Sequence, residues 1–206
     1  MQKTRNAPFI GDVSGGLTKN SKRDTLPLKM DFLRVGNVYS NYLDLSEIHK
    51  IGLKEYEIDN TLLKMNDLLI VEGNGSIDQI GRVAIWREEI KDCVHQNHII
   101  KVRLSGNTSA KYFLYWLLSE RGRTQIKRVA SSTSGLYTLS LSKVSSLPSP
   151  MCSFDEQEQI VSEIESRLSV CDRLEKSIED SLNKTEALRQ SILKKAFSGE
   201  LTKEWR

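Results

Sequence analysis

Three polar segments in the first half of the chain carry side chains suited to binding a polar partner. Residues 15–25, 72–82 and 94–99 supply amide, hydroxyl or imidazole groups, and the first two segments add cations. Amides and guanidinium groups form paired hydrogen bonds with base edges, and lysine or arginine neutralises phosphates. The segments are therefore candidate DNA-binding loops. Their candidate residues are Lys19, Asn20, Lys22, Arg23, Asn74, Ser76, Gln79, Arg82, Gln96, Asn97 and His98.

Each segment also has a purely structural interpretation. Residues 15–25 fit a mobile surface loop equally well, and Asn74 followed by glycine is a typical hairpin turn. The glycines of 72–82 lack the spacing and the following helix of a nucleotide-binding loop. In an alternating strand, His95 and Asn97 share one face while Gln96 and His98 share the other. We expect at least one of these pairs to lie inside the domain.

A predicted helix and the loop after it add further candidates. Tyr112, Trp116 and Ile126 recur near helical spacing, which predicts a helix from Ala110 to about Arg128. Its second half is cationic, typical of either a solvated face or a phosphate-binding surface. The loop 128–140 is rich in hydroxyl groups, which suit either a plain connection or a backbone contact. The candidates here are Arg121, Arg123, Lys127, Arg128, Ser132, Thr133 and Tyr137.

The sequence predicts no catalytic residues and no metal site. It contains neither a GxxxxGK[ST] string nor a GxSxG string. Asp67, Glu72 and Asp78 have no spacing that singles them out as a catalytic set. The chain has 3 cysteines without a CxxC pair, which indicates reduced thiols. His95 and His98 lack the further ligands that zinc requires.

Two regions must position the candidate loops. Before residue 150, the runs FLRVGNV, DLLIVEG, GRVAIW and HIIKVRL carry the β-branched residues typical of strands. Residues 147–150 read LPSP, which predicts an extended linker. We therefore predict an α+β protein, with a strand-rich globular domain over residues 1–150 and a helical region over residues 151–206.

The helical region has the pattern of a coiled coil. Residues 154–197 contain neither proline nor glycine, Ser153 is the expected N-cap, and Gly199 is the expected left-handed C-cap. Apolar residues recur every seven positions, although Thr185 and Arg167 are imperfect seam residues. Such a stripe needs a partner helix, in another chain or in a second copy. The predicted dimerisation residues are Ile164, Leu168, Cys171, Leu174, Ile178, Leu182, Leu188 and Ile192.

The composition sets broad limits on function. Charged residues make up 28% of the chain and hydrophobic residues 38%, which is ordinary for a folded globular protein. A net charge of +3 permits nucleic-acid binding without requiring it. There is no apolar run of membrane-spanning length and no apolar core of a signal peptide, so we expect a cytoplasmic protein.

Several strings, in order along most of the chain, resemble DNA-specificity subunits of type I restriction-modification systems. The strings are KMNDLLIVEGNGSIDQIGRVAIW, YFLYWLLSERGRTQIKR, SFDEQEQIVSEIESRL and ILKKAFSGEL. A full specificity subunit of this family usually has two target-recognition domains and two conserved helices. This chain has one of each, so the resemblance implies a half-length specificity subunit with a single target-recognition domain.

The resemblance also implies partners and a mode of assembly. The expected partners are double-stranded DNA, a methyltransferase subunit and a restriction subunit, which use S-adenosylmethionine, ATP and magnesium themselves. Two copies that pair through antiparallel helices would form a homodimer that reads a bipartite DNA target. Two other functions stay open: a coiled-coil adaptor whose globular head binds protein, and a nuclease with its own active site.

Overall fold

The structure is a computed structural model that describes residues 5–7, 11–133 and 135–205. The chain divides into two compact units, Met1–Gln159 and Ile160–Arg206. The division falls within the long helix, because the first turn of that helix packs into the first unit. There the Gln157 side chain accepts a hydrogen bond from the Ser109 N–H (2.9 Å) and donates one to the Cys152 carbonyl (3.1 Å).

The first unit is strand-rich and a single long helix follows it, so the predicted α+β class is confirmed. The strands are β1 (Arg5–Ala7), β2 (Gly11–Gly15), β3 (Lys29–Leu33), β4 (His49–Gly52), β5 (Leu68–Val71), β6 (Gly73–Asn74), β7 (Val83–Ile85), β8 (Cys93–His95), β9 (Ile99–Leu104), β10 (Ser131–Thr133), β11 (Leu136–Thr138) and β12 (Ser149–Met151). The helices are α1 (Glu55–Thr61), α2 (Ala110–Leu118), α3 (Glu120–Val129), α4 (Leu141–Ser145) and α5 (Phe154–Phe197), with short 3₁₀ turns at Ser21–Arg23, Val35–Asn37 and Glu200–Trp205.

Two sheets form the core of the first unit. One is antiparallel, with the strand order β2-β9-β5-β7, and the other has the order β4-β3-β8. All four residues of β5 are buried, as expected for a central strand that is covered on both faces. Trp86, directly after β7, is fully buried in a cluster with Leu33, Leu69 and Ile99. This cluster packs β3, β5 and β9 against one another.

The prediction of one continuous helix from Ala110 to Arg128 is wrong. The helix breaks at Ser119, whose backbone is extended (φ −65°, ψ 157°) and which caps α3 by accepting a hydrogen bond from the Gly122 N–H at 3.2 Å. A β-carbon on Gly122 would lie 2.0 Å from the Trp116 carbonyl oxygen. Glycine at this position therefore allows α2 and α3 to approach closely.

The predicted linker over residues 147–150 also differs from the structure, because Ser149–Met151 forms β12 and pairs with β1.

Three charged side chains are drawn into the first unit around β5 and β9. The Asp67 carboxylate is fully buried and accepts two hydrogen bonds from Arg103, at 2.7 and 2.8 Å. Lys101 is buried and donates to the Asn60 carbonyl at 2.6 Å, at the C-terminus of α1. Burial lowers the pKa of Lys101, and the neighbouring Arg103 charge lowers it further. The carbonyl dipoles at the end of α1 stabilise the Lys101 cation in place.

The second unit consists of the remainder of α5 and the turn that follows it. The helix has 44 residues, which corresponds to about 65 Å. Gly199 has a φ of +76°, so the predicted left-handed C-cap is confirmed. Among the predicted dimerisation residues, Ile164 is partly buried, and the other seven are exposed in the single chain. An apolar stripe of this length on a surface helix is typical of an interface.

Within the described ranges, no helix has the length and hydropathy needed to cross a membrane.

Candidate nucleic-acid interface

The antiparallel pairing of β5 brings several connecting segments to one edge of its sheet. Val71, the last residue of β5, lies opposite Ile99, the first residue of β9, and Ile70 lies opposite Val83, the first residue of β7. The segment after β5 and the segments before β7 and β9 must therefore meet at the same edge. Residues 72–82, a predicted candidate loop, and residues 96–98, part of the predicted segment 94–99, are brought together in this way.

Hydrogen bonds fix these segments to each other and to the hairpin β10–β11. The Glu72 N–H donates to the His98 carbonyl at 2.9 Å, and the Leu139 N–H donates to the Glu72 carbonyl at 2.8 Å. The His98 imidazole lies 2.8 Å from a carboxylate oxygen of Glu72. Strand β11 pairs with β6, so that Tyr137 lies opposite Asn74. We call the surface formed by residues 34–43, 72–82, 96–98, 131–133 and 135–138 the loop edge.

Arg123 and Lys127 support the loop edge from α3. The Arg123 guanidinium donates to the carbonyls of Gly81 (3.1 Å) and Asp78 (3.0 Å), and Lys127 forms an ion pair with Asp78 at 2.5 Å. Hydrogen bonding to Lys127 holds the pKa of Asp78 below its usual value. Burial lowers the pKa of Arg123. These contacts indicate that both cations position residues 76–81, a role that the sequence did not reveal.

Within residues 72–82, short side chains build the turn, and Gln79 faces solvent. The Asn74 side-chain oxygen Oδ1 accepts from the Ser76 N–H at 2.9 Å, and the Ser76 hydroxyl accepts from the Asp78 N–H at 3.3 Å. Asn74 and Ser76 therefore shape the turn, although Asn74 belongs to β6 and pairs with Tyr137 instead of forming the tip of the expected hairpin. Gln79 is exposed and presents its amide to solvent.

The start of the first predicted loop is tied to the loop edge, because the Asn97 N–H donates to the Leu17 carbonyl at 3.0 Å, but its candidate residues Asn20, Lys22 and Arg23 lie beside α1. Arg23 forms a paired salt bridge with Glu57 of α1 (2.7 and 3.0 Å) and donates to the carbonyls of Thr18 and Gly52. This pairing lowers the pKa of Glu57 to about 2. Lys19, Asn20 and Lys22 are exposed, and the last two line a cavity together with Arg23 and α1. The contacts of Arg23 favour a structural role over the predicted DNA contact.

The segment 94–99 differs from the alternating strand expected of it. Strand β8 ends at His95, because the Ile99 N–H turns back to the Gln96 carbonyl at 2.9 Å. His95 is fully buried, but Asn97, which was expected to share its face, is only half-buried, so neither expected pair lies wholly inside the domain. The Gln96 side chain accepts a hydrogen bond from the Val35 N–H at 3.1 Å, and this bond ties the segment to residues 34–43. Asn97 and His98 remain on the surface of the turn.

The burial of His95 makes the stability of the first unit depend on pH. Burial lowers the pKa of His95 to about 3, and the nearby Lys101 charge adds to this effect. The unfolded chain takes up this proton below about pH 6.5, so stability is full above that pH and falls as the pH drops toward 3. Between pH 7.5 and 5.5, urea unfolding is expected to show a loss of about 1.4 kcal/mol from this residue.

The matched variant for this measurement is His95→Asn, which retains a side-chain donor for the Ile99 carbonyl that lies 3.1 Å from His95 Nδ1. Asparagine does not titrate in this range, so the variant should lose the additional acid sensitivity. An identical pH dependence in the two proteins would contradict the assignment to His95.

The remaining predicted residues lie on two different surfaces. Arg121 lines a cavity of about 610 Å³ with Trp116, Pro148 and Pro150, away from residues 72–82. Arg128 is exposed at the end of α3, next to the hairpin β10–β11 of the loop edge. Ser132 lies opposite Tyr137 in that hairpin. Thr133 belongs to β10, and its side chain lies outside the described residues.

Sequence reasoning missed the segment 34–43, which follows β3. Gln96 connects it to the loop edge, and Arg82 lies with its guanidinium carbon 5.5 Å from the centroid of the Tyr39 ring. The available signal was the string YSNY, in which two aromatic residues flank turn-forming residues next to a predicted strand.

The described residues contain no cluster of three or more His, Cys, Asp or Glu side chains suited to hold a metal ion.

Comparisons with known proteins relate this chain to one family. A family profile described as "Type I restriction modification DNA specificity domain" matches residues 9–184. The chain is 29% identical over 208 residues to the type I restriction enzyme StySPI specificity subunit of Salmonella potsdam, covering 98% of this chain and 44% of that protein. It is 28% identical over 199 residues to the EcoKI specificity subunit of Escherichia coli K12, covering 96% and 42% respectively. The chain thus spans less than half the length of these curated relatives.

Two solved structures share the fold. One comes from a study of complex assembly and conformational transition in the type I restriction-modification system, with a TM-score of 0.71 and 15% identity over 96% of this chain and 46% of that one. The other is the HsdS subunit from Thermoanaerobacter tengcongensis, with a TM-score of 0.62 and 16% identity over 97% and 46%. At this level of identity the likeness establishes the fold alone.

Proposed function

This chain belongs to the family of type I restriction-modification DNA specificity domains, and we propose from that premise that it is the subunit that recognises the DNA sequence. In this role it directs a methyltransferase subunit and a restriction subunit to their target. The observation that supports the proposal is the loop edge, where separate segments with amide, imidazole and guanidinium groups are held together by backbone hydrogen bonds. Such a rigid, polar surface is suited to reading base edges.

The proposed target is bipartite. One target-recognition domain per chain reads one half-site, and two chains paired through α5 would present two such domains. Antiparallel pairing would place two identical half-sites in inverted orientation, with a spacing set by the helix. The exposed apolar stripe of α5 supports this pairing, because it needs a helical partner.

We propose that the subunit is not catalytic by itself and acts in the cytoplasm. The partner subunits would use S-adenosylmethionine, ATP and magnesium, and α5 would serve as a docking surface for the methyltransferase. As the family resemblance implies, this chain selects the DNA site, and the partner subunits carry out the reactions. Magnesium-dependent cleavage by the purified chain would overturn this part of the proposal.

The sharpest test compares a candidate base contact with a candidate phosphate contact. Selection from a library of randomised duplexes should enrich one bipartite motif, and the affinity for that motif should fall steeply with salt. Replacing Gln79 with alanine should relax the preference at one position of the motif. Replacing Arg128 with alanine should weaken binding to all sequences and reduce the salt slope by about one.

Two results would contradict the proposal. If Gln79→Ala and Arg128→Ala change selectivity and affinity in the same way, the two contacts have been assigned wrongly. If the wild-type chain shows no affinity for DNA at low salt, even with the methyltransferase subunit present, the globular unit is better explained as the head of an adaptor that binds protein.

A further inference from the structure

Two stacked tyrosines form a flat aromatic surface at the loop edge. The rings of Tyr39 and Tyr42 have centroids 4.7 Å apart and planes that differ by 10°. Tyr42 is 57% exposed. Aromatic side chains usually bury most of their large surface, so a stacked pair that leaves one ring open to solvent suggests a ligand with a flat face.

The backbone holds this pair in a fixed conformation. The Tyr39 N–H donates to the Tyr42 carbonyl at 3.0 Å, and Val38 pairs with Leu43 in an antiparallel bridge. Asn41 adopts the left-handed region (φ +69°) and donates its N–H to the Val83 carbonyl at 2.8 Å. Residues 38–43 are therefore a short hairpin anchored on β7. A ligand that contacts Tyr42 would meet a surface that is already ordered, which reduces the entropy cost of binding.

A cation accompanies the aromatic pair. The Arg82 guanidinium carbon lies 5.5 Å from the centroid of the Tyr39 ring, within the range of a cation–π interaction. Arg82 Nε is buried and has no hydrogen-bond partner among the residues that the structure describes. The positive charge favours a polyanionic ligand next to the aromatic surface. Flat aromatic faces combined with cations are the means by which proteins bind unstacked nucleotides.

We propose that Tyr42 stacks on a nucleobase that has left the base stack of the DNA. In an intact duplex the flat faces of the bases are covered by their neighbours, and only base edges are accessible in the grooves. The Tyr42 ring is complementary to a base face, which becomes available only when the base is displaced. This inference rests on the proposed function and adds to it. The amides of the loop edge read base edges, and Tyr42 stabilises a local opening of the duplex.

The experiment compares two fluorescent probes, a mixed-sequence duplex and the same duplex with one unpaired adenine. A stacked base contributes about 1–3 kcal/mol, so the wild-type chain should bind the probe with the unpaired adenine roughly 5- to 150-fold more tightly. Tyr42→Ala should abolish this preference. Tyr42→Phe, which keeps the ring face, should retain it.

Tyr56 provides a matched control on a different surface. It is 71% exposed in the first turn of α1, and the Lys54 ammonium lies 5.7 Å from the centroid of its ring. Helix α1 follows Gly52, the last residue of β4, which pairs with the first residue of β3. Tyr42 instead follows the last residue of β3, so the two tyrosines belong to segments at opposite ends of that strand. Tyr56→Ala should leave the preference for the unpaired adenine unchanged.

Each other outcome overturns the inference in a distinguishable way. If Tyr42→Ala retains the preference, or Tyr56→Ala loses it equally, Tyr42 is not the stacking residue. If Tyr42→Ala weakens binding to both probes to the same extent, Tyr42 contacts the intact duplex instead. If the wild-type chain binds neither probe at low salt, the proposed function fails, and the stacking site fails with it.

Discussion

Replacing Leu174 and Ile178 together with aspartate is expected to convert the proposed homodimer into monomers. Both residues belong to the predicted seam of α5, and they are 58% and 67% exposed in the single chain. In the dimer, each aspartate would be a buried charge without a partner. Two apolar side chains lost from each chain, at about 1.5 kcal/mol apiece, remove about 6 kcal/mol, or roughly a 10⁴-fold weaker dimer. Light scattering at micromolar concentration measures the change in mass.

The control changes the charge of the same helix without touching the seam. Lys176→Gln combined with Asn183→Asp lowers the net charge by the same amount, and both residues are exposed at positions outside the predicted stripe. This variant should remain dimeric. An unchanged mass for the seam variant would refute the seam assignment. A wild-type protein that is strictly monomeric, with or without DNA, would refute the homodimer itself.

Replacing Asp67 with asparagine is expected to lower the free energy of unfolding by about 3 kcal/mol. The Asp67 carboxylate is fully buried, and it accepts two hydrogen bonds from Arg103 and one from the Lys64 N–H at 2.8 Å. Asparagine preserves the shape but leaves the guanidinium without its counter-ion. Because the Arg103 side chain is 29% exposed and regains some water, the cost falls at the lower end of the range for broken buried pairs. Urea unfolding measures the loss.

Two further variants sharpen this test. Arg103→Met should cost at least as much, because the fully buried Asp67 charge has no access to water. Asp78→Asn removes an exposed carboxylate from an ion pair with Lys127 and should change stability little. A loss below about 1 kcal/mol for Asp67→Asn would show that the buried pair does not hold β5 and β9 together.

The long helix and the central strands could be predicted because their patterns are local. The absence of proline and glycine over residues 154–197 matches α5, and the runs at 67–73 and 98–104 contain β5 and β9. The run 32–38 was predicted less well, since β3 ends at Leu33. There the buried Asn37 side chain donates to the carbonyls of Asp44 and Glu47 and turns the chain away from the strand. Such a contact between a side chain and backbone carbonyls leaves no periodic signal in the sequence.

The position of the candidate site was predictable only in part, because local composition marks polar segments but does not show which side chains are bound within the fold. Composition marked residues 72–82 and 96–98 as polar, and the strand order brought them together. Composition did not distinguish a cation available to a ligand from one bound within the fold. Arg23 is paired with Glu57, and Arg123 binds the carbonyl of Gly81, both far away in sequence. Tyr42 was missed because only the folded hairpin stacks it on Tyr39.

The backbone bonding of the loop edge has a consequence for how such a protein could acquire a new target. The Glu72–His98, Leu139–Glu72 and Asn97–Leu17 links join main-chain N–H and carbonyl groups, which every residue except proline can supply. Exposed side chains such as Gln79 can therefore be exchanged while the scaffold around Asp67 and Trp86 is conserved. Retargeting by a few surface substitutions is then compatible with unchanged stability, so recognition can diversify faster than the fold that supports it.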